Sequence, residues 1–320
     1  AGTDIVYGSL DGGTTWTDIT SKVSGTTLTW TGVTLNAGTG TLQLKVTDNA
    51  GNDGAIASHA YTLDTTAPAI TFSNLALSND TGTSGSDFIT KTAAQTITAT
   101  LSGAPAGTDI VYGSLDGGAT WTDVTSKVSG TTLTWNGVTL AGTGTLKLKV
   151  TDNAGNDGTV ASQAYTLDTT APAITFGNLA LSNDTGTSST DFITSSASQT
   201  ITATLSAAPA GTDVVWGSTD GGATWTNITS KVSGTTLSWD NVTLSGANTL
   251  KLKVTDSAGN DGTVASQAYT LDTTAPALTF SNLALSSDTG TSSTDFITST
   301  ASQTITATLS GAPAGTDIVY

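Results

Sequence analysis

Between residues 67 and 170 apolar and polar side chains alternate. Leu146, Leu148 and Val150 are separated by Lys147 and Lys149, and Ile97, Ala99 and Leu101 by Thr98 and Thr100. A period of two sends successive side chains to opposite faces of a pleated strand, so both stretches are predicted to be half-buried β-strands. The same pattern, bounded by Gly, Asn, Asp and Ser, predicts strands at 69–77, 108–114, 120–128, 131–140 and 161–167. No window carries the three-to-four-residue spacing of an amphipathic helix.

The pattern then returns. AGTDIVYGSLDGG begins at Ala1 and again at Ala106, AGTDVVWGSTDGG at Ala210 and AGTDIVY at Ala314, which are steps of 105, 104 and 104 residues. The additional residue lies where Leu35-Asn36-Ala37-Gly38 stands against Leu140-Ala141-Gly142, a Gly-rich stretch read as a loop. Leu-Asp-Thr-Thr-Ala-Pro recurs at 63–68, 167–172 and 271–276. Proline fixes φ and donates no hydrogen bond, so each recurrence is read as a stiff, extended joint between units. That frame gives two complete units, 67–170 and 171–274. Residues 1–66 hold the closing part of one unit and 275–320 the opening part of another. The protein is expected to continue in both directions; the alternative is that 275–320 of one copy completes 1–66 of a second.

Seven short strands in about 100 residues, with turns between them and Thr on the outward positions, predict an all-β fold. It consists of tandem immunoglobulin-like β-sandwich modules of about 104 residues arranged end to end. Trp121, Trp135 and Tyr165 are then read as core or hairpin aromatics.

Composition removes several classes of function. All 25 acidic residues are Asp and all nine basic residues are Lys, for a net charge of −16, and Glu, Arg, Cys and Met are absent. Such a chain is not suited to phosphate backbones or anionic membranes, so neither nucleic acid nor a membrane is an expected partner. No apolar run approaches the roughly 20 residues that span a bilayer. Without Cys there are no disulfides, and His59, the single histidine, has Gln163 and Gln267 in its place in other copies. No catalytic triad or thiol site can be assembled, and the chain is not expected to be an enzyme.

The segment 114–121, SLDGGATW, with copies at Ser9 and Ser218, fits the Asp-box hairpin seen in sialidases. Read physically, it is a tight Asp-Gly turn whose carboxylate accepts hydrogen bonds from its own amides, with a Trp packed beneath.

Candidate metal chemistry lies elsewhere. The turn Asp152-Asn153-Ala154-Gly155-Asn156-Asp157, with Asp48, Asn52 and Asp53 and with Asp256, Asn260 and Asp261 in its copies, offers oxygens suited to a hard cation, and equally the residues of an ordinary β-turn. A loop adds Asp80 and Asp87, with Asp184, Asp191, Asp288 and Asp295 as counterparts, and the joints add Asp64, Asp168 and Asp272. In an end-to-end stack the first loop of one unit, the joint and the last turn of the next are expected to converge. That would gather Asp80, Asp87, Asp168, Asp256, Asn260 and Asp261 around a Ca²⁺ ion.

In this order and period, the joint LDTTAP, the loop DTGTS-x-x-DFIT and the turn VTD-x-AGN resemble the bacterial Ig-like extender repeats of giant surface adhesins. They are similar also to repeats of very large marine bacterial surface proteins, one of them linked to cyanobacterial swimming. The resemblance covers the whole chain. It implies an extracellular or cell-surface location, secretion by a type I route, calcium-rigidified joints and a role in projecting a distal binding domain. The RTX nonapeptide Gly-Gly-x-Gly-x-Asp does not occur in the chain. The expected partners are the neighbouring modules, with assembly of copies into a filament, sheath or surface layer, or direct glycan binding, as the alternatives.

Overall fold

The computed structural model describes residues 4–315 and 317–320; Ala1–Thr3 and Thr316, which belong to the outermost copies of the repeat, lie outside the described residues. The chain is all-β, with no α-helix among the described residues.

In the first complete sandwich the strands are β1 (Phe72–Leu77), β2 (Ile89–Thr90), β3 (Ala94–Leu101), β4 (Ile110–Ser114), β5 (Thr122–Asp123), β6 (Val128–Ser129), β7 (Thr132–Thr139), β8 (Thr143–Thr151) and β9 (Ala161–Leu167). One sheet runs β6-β7-β3-β1 and the other β5-β4-β8-β9-β2. All pairings are antiparallel except β9 with β2, where Thr166 pairs with Ile89 and Leu167 with Thr90 in parallel. The same order returns from Phe176–Leu181 to Ala265–Leu271. Residues before 64 and after 276 form partial sheets of the same kind, and there apolar residues such as Phe280 and Ile305 are exposed.

Alternation sets the core. Ile97, Ala99, Leu101 and Leu133 of one sheet face Val111, Leu146, Leu148 and Val150 of the other, all buried, while the intervening Thr and Lys point outward. Trp135 and Tyr165 complete this core. Trp135 lies flat against Gly113, where a Cβ would come 2.4 Å from its ring, so strand β4 requires glycine at that point.

Two stretches depart from the alternation. Residues 120–128 form no continuous strand: β5 stops after two residues, the 3₁₀ turn Thr125–Lys127 follows, and β6 resumes at Val128. Asp123 accepts from the Thr125 amide (2.9 Å) and Val124, fully buried, donates its amide to Val111 (2.8 Å), which folds the segment inward. At the other stretch, the first strand begins at Phe72 rather than 69, and a bulge between Ser73 and Ala76, with Asn74 at φ 50°, kinks it.

Candidate functional site

The Asp-box hairpin is a structural device. Ser114 Oγ donates to Asp116 Oδ1 (2.7 Å) and accepts from the Gly118 amide (2.8 Å), while Thr120 donates its amide and hydroxyl to Asp116 (2.9 and 2.6 Å). The Thr120 hydroxyl foremost holds the Asp116 carboxyl far below the usual carboxylate range. Trp121 packs beneath the Lys149 ammonium, 4.7 Å from its ring centroid. Every oxygen of this Asp is committed inside its own turn.

The turn at Asp152–Asp157 is organised in the same way. Asp152 Oδ1 accepts from the amides of Ala154 (2.9 Å) and Asn156 (2.8 Å), and Asn156 Nδ2 donates to its Oδ2 (2.9 Å). Asp157 pairs with Lys149 (2.7 Å) and accepts from Thr151 (2.6 Å). The Asn156 side chain foremost lowers the Asp152 pKa, and Lys149 that of Asp157. Asp48, Asn52 and Asp53 repeat these contacts. In the third copy Asn260 and Asp256, and Asp261 with Lys253 and Thr255, do the same.

The joint Asp residues cap their own linkers, Asp64 accepting from Thr66, Asp168 from Thr170 and Asp272 from Thr274, each at 2.9 Å.

The loop from Asn79 to Lys91 is built differently. Gln95, buried, fixes its base: the side chain accepts from the Asn79 amide (2.9 Å) and donates to the carbonyls of Asn79 and Thr92 (3.0 and 2.7 Å). Asp80 Oδ2 accepts from the Phe88 amide (2.9 Å) and Asp87 Oδ1 from that of Ile89 (3.0 Å). Phe88, buried, sits at φ 63°, a left-handed conformation strained for an aromatic residue. Asp80 Oδ1 is buried without a hydrogen-bond partner, as are Asp184 Oδ1 and Asp288 Oδ1 in the other copies. Burial raises the Asp80 pKa, and the neighbouring Asp87 charge adds to the rise. Phe192 and Phe296 repeat the strained backbone, at 61° and 59°.

The three elements meet at the joint. Thr81 Oγ1 donates to the Ala258 carbonyl (2.6 Å), the Thr83 amide to Ser257 (3.4 Å) and Lys91 Nζ to Gly259 (2.6 Å). Asn260 Nδ2 donates to the Asp168 carbonyl (2.8 Å), as Asn156 does to Asp64 (3.0 Å). Gly82 lies so close that a Cβ there would stand 1.9 Å from the Ser257 oxygen. The expected ring of five carboxylates does not form: among the described residues no three Asp or His side chains are grouped as a metal site. Backbone carbonyls, threonines and one lysine occupy the contact instead, because the carboxylates of the last turn are already satisfied by their own amides and lysines. Sequence reasoning missed Thr81, Gly82 and Lys91, whose roles depend on a neighbouring module.

A family model described as bacterial Ig-like domain matches residues 66–169 and again 170–273. The chain belongs to this family. No curated protein matches. Among solved structures, the bacterial Ig-like chain is similar to the chicken CNTN1 FN1-FN3 domains at 12% identity, covering 85% of this chain and 92% of that one with a TM-score of 0.33. It is similar also to a Ca²⁺-stabilized adhesin that helps an Antarctic bacterium reach out and bind ice, at 19% identity, covering 88% and 68% with a TM-score of 0.32. The BSP domain of a biofilm associated protein gives 13% identity, 74% and 43% coverage and a TM-score of 0.19. Among the described residues no helix is long and apolar enough to cross a membrane.

Proposed function

We propose that these bacterial Ig-like modules are a structural extender of a secreted, adhesin-type surface protein, holding a distal binding domain away from the cell. The interlocked joint carries this reading. The loop of one sandwich seats on the last turn of the next through three hydrogen bonds to backbone carbonyls, and an Asn ties that turn to the linker. A linker with no such contacts would leave the modules free to swing. Strands of eight or nine residues, at about 3.3 Å per residue, give each module a long axis of roughly 30 Å before loops are added.

The extender reading includes calcium, held in the loop at Asp80 and Asp87, at Asp184 and Asp191 and at Asp288 and Asp295, behind the joint contact. The buried, unpartnered Oδ1 of the first Asp in each copy supports this, since a buried carboxylate oxygen that no protein donor reaches is what a hard cation satisfies. Asp168, Asp256, Asn260 and Asp261 would then act by holding the joint itself. Bound there, the ion would supply positive charge to a loop that otherwise carries strain and repulsion.

Small-angle scattering and thermal melting with calcium, then with excess chelator, test both parts. Chelation should lower the melting midpoint, and a rigid array should keep a maximum dimension that grows linearly with module number. A midpoint indifferent to chelation removes the ion from the loop. A flexible-chain scattering profile in calcium removes the extender reading.

A further inference from the structure

Near-identical modules act as controls for one another, so a residue that differs between copies stands out against a fixed scaffold. At the joint, a cleft of about 630 Å³ opens between the loop of the first complete sandwich and the face of the second. Thr81 and Lys91 form one wall and Val214, Trp216, Asn227 and Thr255 the other. Four of these differ from their counterparts. Lys91 stands where other copies have Ser195 and Ser299, and Val214 where they have Ile5 and Ile110. Trp216 stands where they have Tyr7 and Tyr112, and Asn227 where they have Asp18 and Asp123.

The changes share one chemical direction. Asn227 Oδ1 accepts from the Thr229 amide (3.0 Å) and hydroxyl (2.8 Å), as Asp18 accepts from Thr20 at 2.9 and 2.7 Å, so the turn is preserved. The Thr20 and Thr125 hydroxyls foremost hold Asp18 and Asp123 below the usual carboxylate range, so both are ionised at neutral pH. Asn in that place therefore deletes a full negative charge and adds an amide donor. Lys91 adds a positive charge, and its bond to the Gly259 carbonyl occupies one of three ammonium protons. Together the two substitutions shift the cleft by +2 in a chain of net charge −16.

The aromatic wall changes in step. In the sister copies Lys45 lies 5.6 Å from Tyr7 and Lys149 5.6 Å from Tyr112. Lys253, the cross-strand partner of Trp216, lies over Trp225 at 4.7 Å, as Lys45 lies over Trp16 at 4.6 Å and Lys149 over Trp121 at 4.7 Å. Val in place of Ile shortens the wall beside the larger ring. The result is a half-buried indole face, an ammonium and an amide donor around one open cleft.

We propose that this cleft binds an acidic saccharide, one uronate unit, with the apolar face of the sugar ring on Trp216, the carboxylate at Lys91 and a ring hydroxyl at Asn227 Nδ2. An indole wall distinguishes a flat-faced sugar from a small inorganic anion, and the +2 shift distinguishes an acidic sugar from a neutral one. The site adds recognition to the extender.

Isothermal titration of the full chain with trigalacturonate, galactotriose and inorganic phosphate is the test. Trigalacturonate should saturate at millimolar concentration or below. Lys91→Ser and Trp216→Tyr should each weaken it about tenfold or more, which corresponds to roughly 1.4 kcal/mol. Asn227→Asp should weaken it several-fold, and galactotriose and phosphate should bind about tenfold more weakly than trigalacturonate. Each substitution installs the residue that a sister copy carries at the same position, so loss of folding is not an expected source of the change. No saturation by trigalacturonate, equal binding by Lys91→Ser or Trp216→Tyr, or phosphate binding as tightly as the uronate, overturns the proposal. Calcium bridging of the sugar would be insensitive to Lys91 and falls among the overturning results. Lys91→Ser also removes the bond to Gly259, so scattering of that variant reports whether its joint has loosened, whereas Trp216→Tyr and Asn227→Asp leave the three joint bonds in place and test the sugar site separately from the extender.

Discussion

Asp116 and Asp80 are the same side chain in opposite settings. Asp116 is wrapped by hydroxyls and amides that favour its anion, whereas Asp80 has one oxygen satisfied and the other buried alone. Their pH effects therefore have opposite signs. A carboxyl whose folded pKa lies below its unfolded value contributes stability that is present above about pH 4 and is lost as pH falls further. Asp116, Asp220 and Asp11, the last held down to about 2 chiefly by the Thr15 hydroxyl, belong to that class. A carboxyl with a raised folded pKa costs stability at neutral pH and releases the cost as it is protonated, and in chelator Asp80 belongs there. The melting midpoint is expected to be flat from pH 7 to about 5 and to fall below about 4, and Asp116→Asn should reduce the slope of that acid limb. Asp80→Asn should raise or leave unchanged the midpoint in chelator and remove the increment that the proposed calcium site would give. A midpoint lowered equally in both conditions would assign Asp80 a purely internal role.

At the level of the element, alternation and turn chemistry were legible where a segment's own residues determine its shape. The long strands β3, β8 and β9 fall where period two puts them, and the Asp box folds as its Ser, Asp, Gly and Thr spacing dictates. The segment 120–128 was misread because Val124 and Val128 look like strand residues, while Asp123 caps a 3₁₀ turn between them. Strand β2 escaped notice because two residues carry no period. The unpartnered Asp80 oxygen was not legible either, since it depends on the left-handed Phe88 that closes the loop over it. At the turn of Asp152 the sequence left two readings open, because Asp, Asn and Gly serve turns and metals alike. Gly82 makes the loop itself testable. In Gly82→Ala the new Cβ would meet the Ser257 carbonyl, so the loop must withdraw from the neighbouring turn. Scattering should then report a more flexible array with the melting midpoint of the sandwich unchanged; an equally rigid variant would remove the loop from the joint.

The whole chain contains an internal comparison. The turn Asp256–Asp261 is covered by the loop of the preceding sandwich, and Ala258 is fully buried with Asp256 8% exposed. The equivalent Asp152–Asp157 has the same internal hydrogen bonds, yet Asn153, Ala154 and Gly155 are exposed. Amide exchange at Gly259, bonded to the Asp256 carbonyl, is therefore expected to be slower than in Gly82→Ala, where the covering loop withdraws. Equal rates would mean that the joint opens as readily as the turn frays. The negative charge adds an ionic-strength dependence: with 25 Asp against nine Lys, repulsion along the array weakens as the screening length falls to about 8 Å near physiological salt.

The parallel pairing of Ile89–Thr90 with Thr166–Leu167 joins a strand near the entrance of the sandwich to the strand at its exit. Tension transmitted along the array pulls these two strands past one another, lengthwise. The Thr166 amide bonded to Phe88 and the Asp168 amide bonded to Thr90, both 2.9 Å, are then loaded together in shear, and neither can be peeled away ahead of the other. An extender of the kind proposed, built this way, would yield abruptly at a threshold pull, module by module, and hold its length below it.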